Sequence, residues 1–313
     1  MAISGDDAGP VVLELDSRPL ASYVWQPDLP IGLAPRPYLH PVRTLTGTVV
    51  TDLMPTSHRH HLGISIAVPD VNGQNFWGGR TFVPGHGPAW LDDHGLQRHE
   101  RWLRRTPSEL SHSLRWIAMD GTVLLREVRT IACRPVSATA WALDLSFRLE
   151  NASAEPLTLR SPATQGRAGA GYAGFFWRAP LTSRPPAVFG TGGQGVSALH
   201  GRPGEWIAVA AGTPGAAPGE PPRDWSIVFV AADEPTRDDR WFVRARDHLA
   251  VGSSLTWDHP LTIEPGESLT RNIVAIVADG PVTPDQAADL VRTWSRGSTP
   301  LEGHSVRRDP AAG

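Results

Sequence analysis

Lysine is absent from this sequence: all 29 of its basic residues are arginine. Schiff-base catalysis, a P-loop lysine and a lysine general base are thereby excluded. Arginine throughout, with abundant Ala, Gly and Pro, is the mark of a GC-rich coding sequence, and it also supplies planar forks suited to carboxylates and hydroxyls. Cysteine is nearly as scarce. Cys133 stands alone, so no intrachain disulfide can form, and its place in the run Val128-Arg129-Thr130-Ile131-Ala132-Cys133 predicts a small buried hydrophobe. No window approaches the roughly 18 apolar residues that span a bilayer. Met1-Ala2-Ile3-Ser4-Gly5-Asp6-Asp7 has neither a basic nor an apolar signal region, so a cytoplasmic protein with no membrane partner is expected. A strong charge is missing too: the formal net charge is −3 and the arginines are scattered among acids, which excludes nucleic acid as an expected partner.

What the chain does have is β-like alternation. Candidate strands are Pro10 to Leu15, Gly47 to Thr51, Ile64 to Val68, His112 to Ile117, Thr122 to Val128, Ala140 to Phe147, Trp206 to Val209, Trp225 to Val230 and Arg271 to Val277. Thirty-one glycines and 30 prolines punctuate them, the pattern of an antiparallel protein. One helix is expected, with Thr283 as N-cap, Pro284 in the first position, and Ala287, Leu290, Val291 and Trp294 at helical spacing. A 40% hydrophobic content is enough for a real core. No repeat of fixed period and no linker divides the series. The expectation is therefore an all-β chain, residues 1–313 forming one large antiparallel two-sheet β-sandwich with about six or more strands per sheet. Mobile tails are expected over about residues 1–9 and 298–313. Of the long Gly/Pro loops, Pro84 to Pro88 and Gly166 to Gly174 are expected to be functional, and Gly212 to Pro222 a surface excursion.

Histidine carries the chemical signal. The stretch from His40 to His112 holds eight of the twelve histidines, and His58-Arg59-His60-His61 places three imidazoles in four residues just before a strand. Imidazole transfers protons near neutral pH and ligates transition metals. Three readings stay open: ligands of one divalent metal ion, with His58, His60 and His61 as candidates; metal-free proton-transfer or hydrogen-bonding groups; and structural histidines. Because the run lies on a loop or strand rim, loss of one imidazole is expected to leave the fold intact.

Two further blocks suggest what the imidazoles face. Val71-Asn72-Gly73-Gln74-Asn75-Phe76-Trp77-Gly78-Gly79 contains an Asn-Gly turn that delivers carboxamides and an indole to one place. Amides and an aromatic face suit a polyol, although Trp77 would equally cap a core. Arg167 to Arg178 joins a glycine-rich loop to Tyr172, Trp177 and two arginines; with no βαβ unit around it, it is not a dinucleotide fingerprint. Glu127, between Arg126 and Arg129 on a strand, is either a general base or a salt-bridge partner.

Together with Arg36-Pro37-Tyr38-Leu39-His40-Pro41, these blocks resemble the bacterial family DUF6807 over about residues 30 to 290. That family is often labelled "methane oxygenase PmoA", a label set aside because a methane monooxygenase subunit of that kind needs membrane spans. The resemblance implies a β-sandwich similar to galactose-mutarotase-like folds and a place among sugar-catabolic functions. The family pattern Asp-His-Pro-x-His is matched at His58 and His61, with Ser57 and Arg59 in place of the Asp and Pro.

The expected function is a carbohydrate-active enzyme (lyase, hydrolase or epimerase) acting on a sugar or keto-sugar derivative by His/Glu acid-base chemistry. His40, His58, His61 and Glu127 are the catalytic candidates, and Asn75, Trp77, Arg167, Tyr172 and Trp177 the substrate-binding ones. His40, His58, His61 and Asn75 should face one pocket with an aromatic wall from Trp77 or Trp177. A non-catalytic carbohydrate-binding protein and a metal-dependent oxygenase are the alternatives.

Overall fold

Two antiparallel sheets stack face to face in the computed structural model, which describes residues 9–215 and 219–297. Apart from Gly9, the expected tails lie outside the described residues, as do residues 216–218 of the Gly212 to Pro222 loop. One sheet has seven strands in the order Val11–Leu15, Arg18–Val24, Tyr38–Val42, Ile64–Ala67, Gly174–Arg178, Ala250–Ser254 and Arg240–Arg244. The other has nine, and its centre is made of the long strands Arg223–Ala231, Ser268–Asp279, Ala140–Asn151 and Val123–Ser137. A three-stranded sheet (Leu261–Ile263, Leu157–Arg160, Asp70–Val71) and a hairpin (Thr81–Val83 with Gly87–Ala89) complete the described strands.

Alternation explains the layering. Ile64 and Ile66, Phe175 and Trp177, and Val243 and Val251 turn inward from the seven-stranded sheet. They meet Trp141, Leu143, Leu145, Ile227, Phe229, Ile273, Ala275 and Val277 from the other sheet. Cys133 is buried in this interior, as expected of a small hydrophobe.

The outer face of the nine-stranded sheet is covered by the helix Pro284–Gly297. Thr283 and Gln286 cap it reciprocally, Thr283 Oγ1 accepting from Gln286 N at 3.3 Å and Gln286 Oε1 accepting from Thr283 N at 2.8 Å. Its buried residues, Ala287 and Val291, pack with Ala142, Val228, Val274 and Ile276. Glu234–Asp238 and Val196–Leu199 add short helices that local periodicity does not announce. The segment Gly47 to Thr51 is a correction: it makes an isolated bridge, Val49 to Arg43, instead of a strand. Among the described residues no helix is long and apolar enough to cross a membrane.

Candidate functional site

Opposite the interior, the outer face of the seven-stranded sheet floors a cavity of about 630 Å³. The pleat that sends Phe175 and Trp177 inward turns Phe176 and Arg178 outward. Strand register then builds two rows across the sheet. Phe176 and Phe242 both pair with Gly252, and Arg178 and Arg244 both pair with Ala250. The small central residues leave room between the large ones. Trp77 and Tyr172 close the aromatic side, with ring centroids 4.6 Å apart, and Trp77 stands 4.8 Å from Phe176.

Four imidazoles form the other side. His58 lies 4.7 Å from His61 and 5.0 Å from His248 between ring centroids, and His60 lies 4.8 Å from His61. The His58–His61 segment is a turn, with His61 N donating to the His58 carbonyl at 2.9 Å, which is how both rings reach one place. His61 is only 5% exposed and rests 4.8 Å from Phe176, so it is part of the packed floor and not of the rim. Its Nδ1 is buried without a protein partner. His58 is half-buried, and its Nδ1 is 2.9 Å from Ser57 Oγ, which leaves Nε2 for a ligand.

Burial and positive neighbours hold all four rings neutral at pH 7. Desolvation, then Arg36, His58 and His94, push His60 down to about 3; desolvation, then Arg178, His58 and Arg244, push His248 down to about 4. His61 is driven well below the usual range by burial and then by His60, His58, Arg178 and His248. His58 is lowered by burial and then by Arg178.

Arg36 ties the walls together. It is 1% exposed, and among the described residues it has no carboxylate partner. Nε donates to Ser65 Oγ at 3.1 Å and Nη2 to the His60 carbonyl at 2.7 Å. Nη1 serves the carbonyls of Leu33, Ala34 and Trp77 at 3.0–3.1 Å. One planar fork thus fixes the backbone that carries both His60 and Trp77. Gly78 and Gly79, both at positive φ, permit the close approach: a Cβ would lie 2.5 Å from the Leu33 carbonyl oxygen at Gly78, and 2.6 Å from His60 Nδ1 at Gly79.

Of the residues singled out in the sequence, His58, His60, His61, Trp77, Arg167 and Tyr172 line the cavity. Asn75 does not. Its Oδ1 accepts from Trp77 N and Gly78 N, both at 2.8 Å, and its Nδ2 donates to Thr81 Oγ1, so its amide shapes the turn that presents Trp77. His40 lies outside the lining, its Nδ1 2.9 Å from Thr51 Oγ1. Trp177 is in the interior, donating from Nε1 to the Val50 carbonyl at 2.9 Å; the aromatic residue of that strand that reaches the cavity is Phe176. Glu127 is also interior and 1% exposed, held by Arg129 Nε at 2.6 Å and Trp116 Nε1 at 2.8 Å, which removes it from the cavity's chemistry. His248, Arg244, Phe242 and Arg36 are the functional candidates that sequence reasoning passed over.

A divalent metal ion finds no carboxylate ligand among the described residues that line the cavity. Among the described residues no three His, Cys, Asp or Glu side chains are disposed to hold one. No carboxylate lines the cavity, and the Arg178 charge is felt by His58, His61 and His248. A two-His, one-carboxylate oxygenase centre has no carboxylate to use here.

Residues 10–292 match the model of DUF6807, described as a family of unknown function. The chain belongs to that family. No curated protein matches it. Among solved structures it is similar to an Escherichia coli K12 protein described provisionally as an aldose 1-epimerase, at 12% identity and a TM-score of 0.41, with 86% of this chain and 99% of that one covered. It is also similar to an aldose epimerase homologue of C. elegans, at 12% identity and a TM-score of 0.36, with coverage of 87% and 99%.

Proposed function

We propose that this DUF6807 protein is a carbohydrate-active enzyme, a lyase, hydrolase or epimerase acting on a sugar or keto-sugar derivative, with imidazoles in place of carboxylates as its proton-transfer groups. The observation that carries the reading is the make-up of the cavity: Trp77, Tyr172, Phe176 and Phe242 line it together with His58, His61 and His248, and no Asp or Glu is among its described lining residues. Aromatic faces bind the C–H side of a sugar ring, and neutral imidazoles accept protons or hydrogen bonds from its hydroxyls. His58 is the proton acceptor: it is the most accessible of His58, His60 and His61, and Ser57 Oγ holds its Nδ1. It takes a proton from the carbon next to a carbonyl, and His248 stabilises the oxyanion that forms.

The low proton affinity of His60 and His61 favours a second reading, a non-catalytic carbohydrate-binding protein in which these rings are hydrogen-bond acceptors only. Both readings are tested by incubating the purified chain with a panel of glycosides and 3-keto-glycosides, following products by NMR and binding by Trp fluorescence. Turnover by the wild type and its loss in His58→Ala are expected. Binding with no turnover of any member would favour the second reading, and neither binding nor turnover would overturn both.

A further inference from the structure

Four arginines, Arg59, Arg80, Arg167 and Arg244, line the cavity, and no acid accompanies them. None of the four makes a salt bridge among the described residues. Several arginines elsewhere on the surface are paired, Arg104 with Glu109 and Arg115 with Glu100 at 3.0 Å, and Arg184 with Asp224 at 2.8 Å. Two carboxylates act on this region from outside the lining. Asp52 is 3.5 Å from Arg178, and Asp247 acts on Arg244 and His248 from an exposed position.

Arg244 is held in place. Nη2 donates to the Gly169 carbonyl at 2.9 Å, Nη1 donates to the Val243 carbonyl at 3.3 Å and sits 2.9 Å from His200 Nε2, and the guanidinium carbon lies 4.7 Å from the Phe242 ring centroid. These contacts engage Nη1 and Nη2, and among the described residues Nε has no hydrogen-bond acceptor. Arg167 lines the same cavity, and its charge acts on both Tyr172 and Arg244. After burial, the charge of Arg167 is the largest influence lowering the Arg244 pKa. Beneath them Arg178, 7% exposed, keeps Nη1 buried with no hydrogen-bond partner. Like charges gathered at a partly desolvated wall repel one another, and the repulsion is relieved when an anion with planar or forked acceptors lies between them.

Resting on the carbohydrate reading above, we propose that the ligand is an acidic sugar, one bearing a carboxylate or phosphate, whose anionic group is gripped by Arg167 and Arg244 while its ring lies against Trp77. A neutral sugar satisfies the aromatic wall and leaves the two guanidinium groups uncompensated. An inorganic anion does the reverse.

The test is calorimetric titration of the full chain at low and high salt with a neutral hexose, a hexuronate, a hexose phosphate and inorganic phosphate. The acidic sugars should bind at least about tenfold more tightly than the neutral hexose, roughly one charge-assisted hydrogen bond's worth, and the margin should shrink as salt screens the pair. Which acidic sugar leads identifies carboxylate or phosphate as the source. Arg167→Ala, at an exposed residue, and Arg244→Gln, which keeps polar atoms near Gly169, should each erase most of the margin between the acidic and the neutral sugars. Neutral and acidic sugars binding equally, or a margin that survives both substitutions, would overturn the charge inference and leave the carbohydrate reading standing. Inorganic phosphate binding as tightly as the acidic sugars would uphold the anion site and remove the carbohydrate reading. No binding by any of the four would remove both.

Discussion

His58 and His248 face each other with ring centroids 5.0 Å apart, although one precedes the strand Ile64–Ala67 and the other sits between Arg240–Arg244 and Ala250–Ser254. The contact exists because Gly174–Arg178 pairs with Ile64–Ala67 on one side and with Ala250–Ser254 on the other. Three neighbouring strands therefore bring together two loops from distant parts of the chain, with Phe176 on the middle strand as their common floor. The seven-stranded sheet thus assembles a site that no single segment contains.

If His58 transfers the proton and His248 supports the charge that results, His58→Ala should lower kcat/KM by about 10² to 10⁴-fold, and His248→Ala should cost about tenfold or more. Both rings are half-buried loop residues, so melting temperatures should move by no more than a few degrees. His61→Ala should behave differently. Its ring is packed against Phe176, and removing it should cost stability as well as activity. Steady-state kinetics on the first substrate identified, with melting curves, check the set; equal kinetics for His58→Ala and wild type would remove His58 from the mechanism.

The pH dependence follows from the direction of the shifts. A base must be neutral to act, and burial followed by Arg178 lowers the His58 pKa below 6.5. Activity should therefore be lost on the acid side with a midpoint below 6.5, the ordinary imidazole value. Stability should move in the same direction for a separate reason. His60 titrates at about 3 and His248 and His200 at about 4 in the folded chain, against an ordinary 6.5, so between those values the unfolded chain binds the protons. Their contribution is complete above about pH 6.5 and is lost as pH falls toward 3–4. Asp239, raised to about 6 by burial, works the other way between about 4 and 6, and one carboxyl is outweighed by three imidazoles. Melting temperature recorded from pH 8 to pH 4 should fall over the acid half of the range.

Glu127 separates structure from chemistry. Its carboxylate is paired with Arg129 and receives the Trp116 indole N–H in the interior between the sheets. Breaking a buried pair by removing one partner leaves an uncompensated charge and costs about 3–5 kcal/mol. Glu127→Gln should therefore lower the urea midpoint sharply, while the folded fraction keeps its ligand affinity. A variant of normal stability with no activity would return Glu127 to the chemistry.

The sequence reveals those parts of the fold and site whose cause is local. The Thr283 N-cap followed by Pro284 and the strand alternation are contiguous patterns, and so is the turn at Asn72 and Gly73, where Val71 N and Gln74 N each bond the other's carbonyl. The histidine run and Trp77 are legible for the same reason. Phe176 against Trp177 is not, because alternation says only that the two point to opposite faces; which face meets the second sheet is set by register across the whole sandwich. His248 and Arg244 carry no local pattern and reach the cavity through strand pairing. Asn75 and Glu127 have the right functional groups, but neighbours in space consume them.

Arg36 offers the sharpest separation of positioning from contact, because it lies outside the cavity lining and bonds the carbonyls of His60 and Trp77 behind the two walls. Its charge is disfavoured there: burial and then Arg129 bring its pKa down to about 9. A costly buried cation persists where its geometry is needed. Arg36→Lys keeps the positive charge, yet three donors on one nitrogen cannot span Ser65, Trp77 and His60 together. Carbonyls left buried without donors cost about 1–3 kcal/mol each. The variant should melt well below the wild type, and at a temperature where it is still folded kcat/KM should fall about tenfold or more. Amide exchange at residues 33–36, 60–61 and 77–79 should accelerate, whereas the helix Pro284–Gly297 on the far sheet should exchange as before. Uniform acceleration across both sheets would mean that Arg36 serves general stability, and an unchanged profile with wild-type kinetics would mean that water replaces the fork without loss.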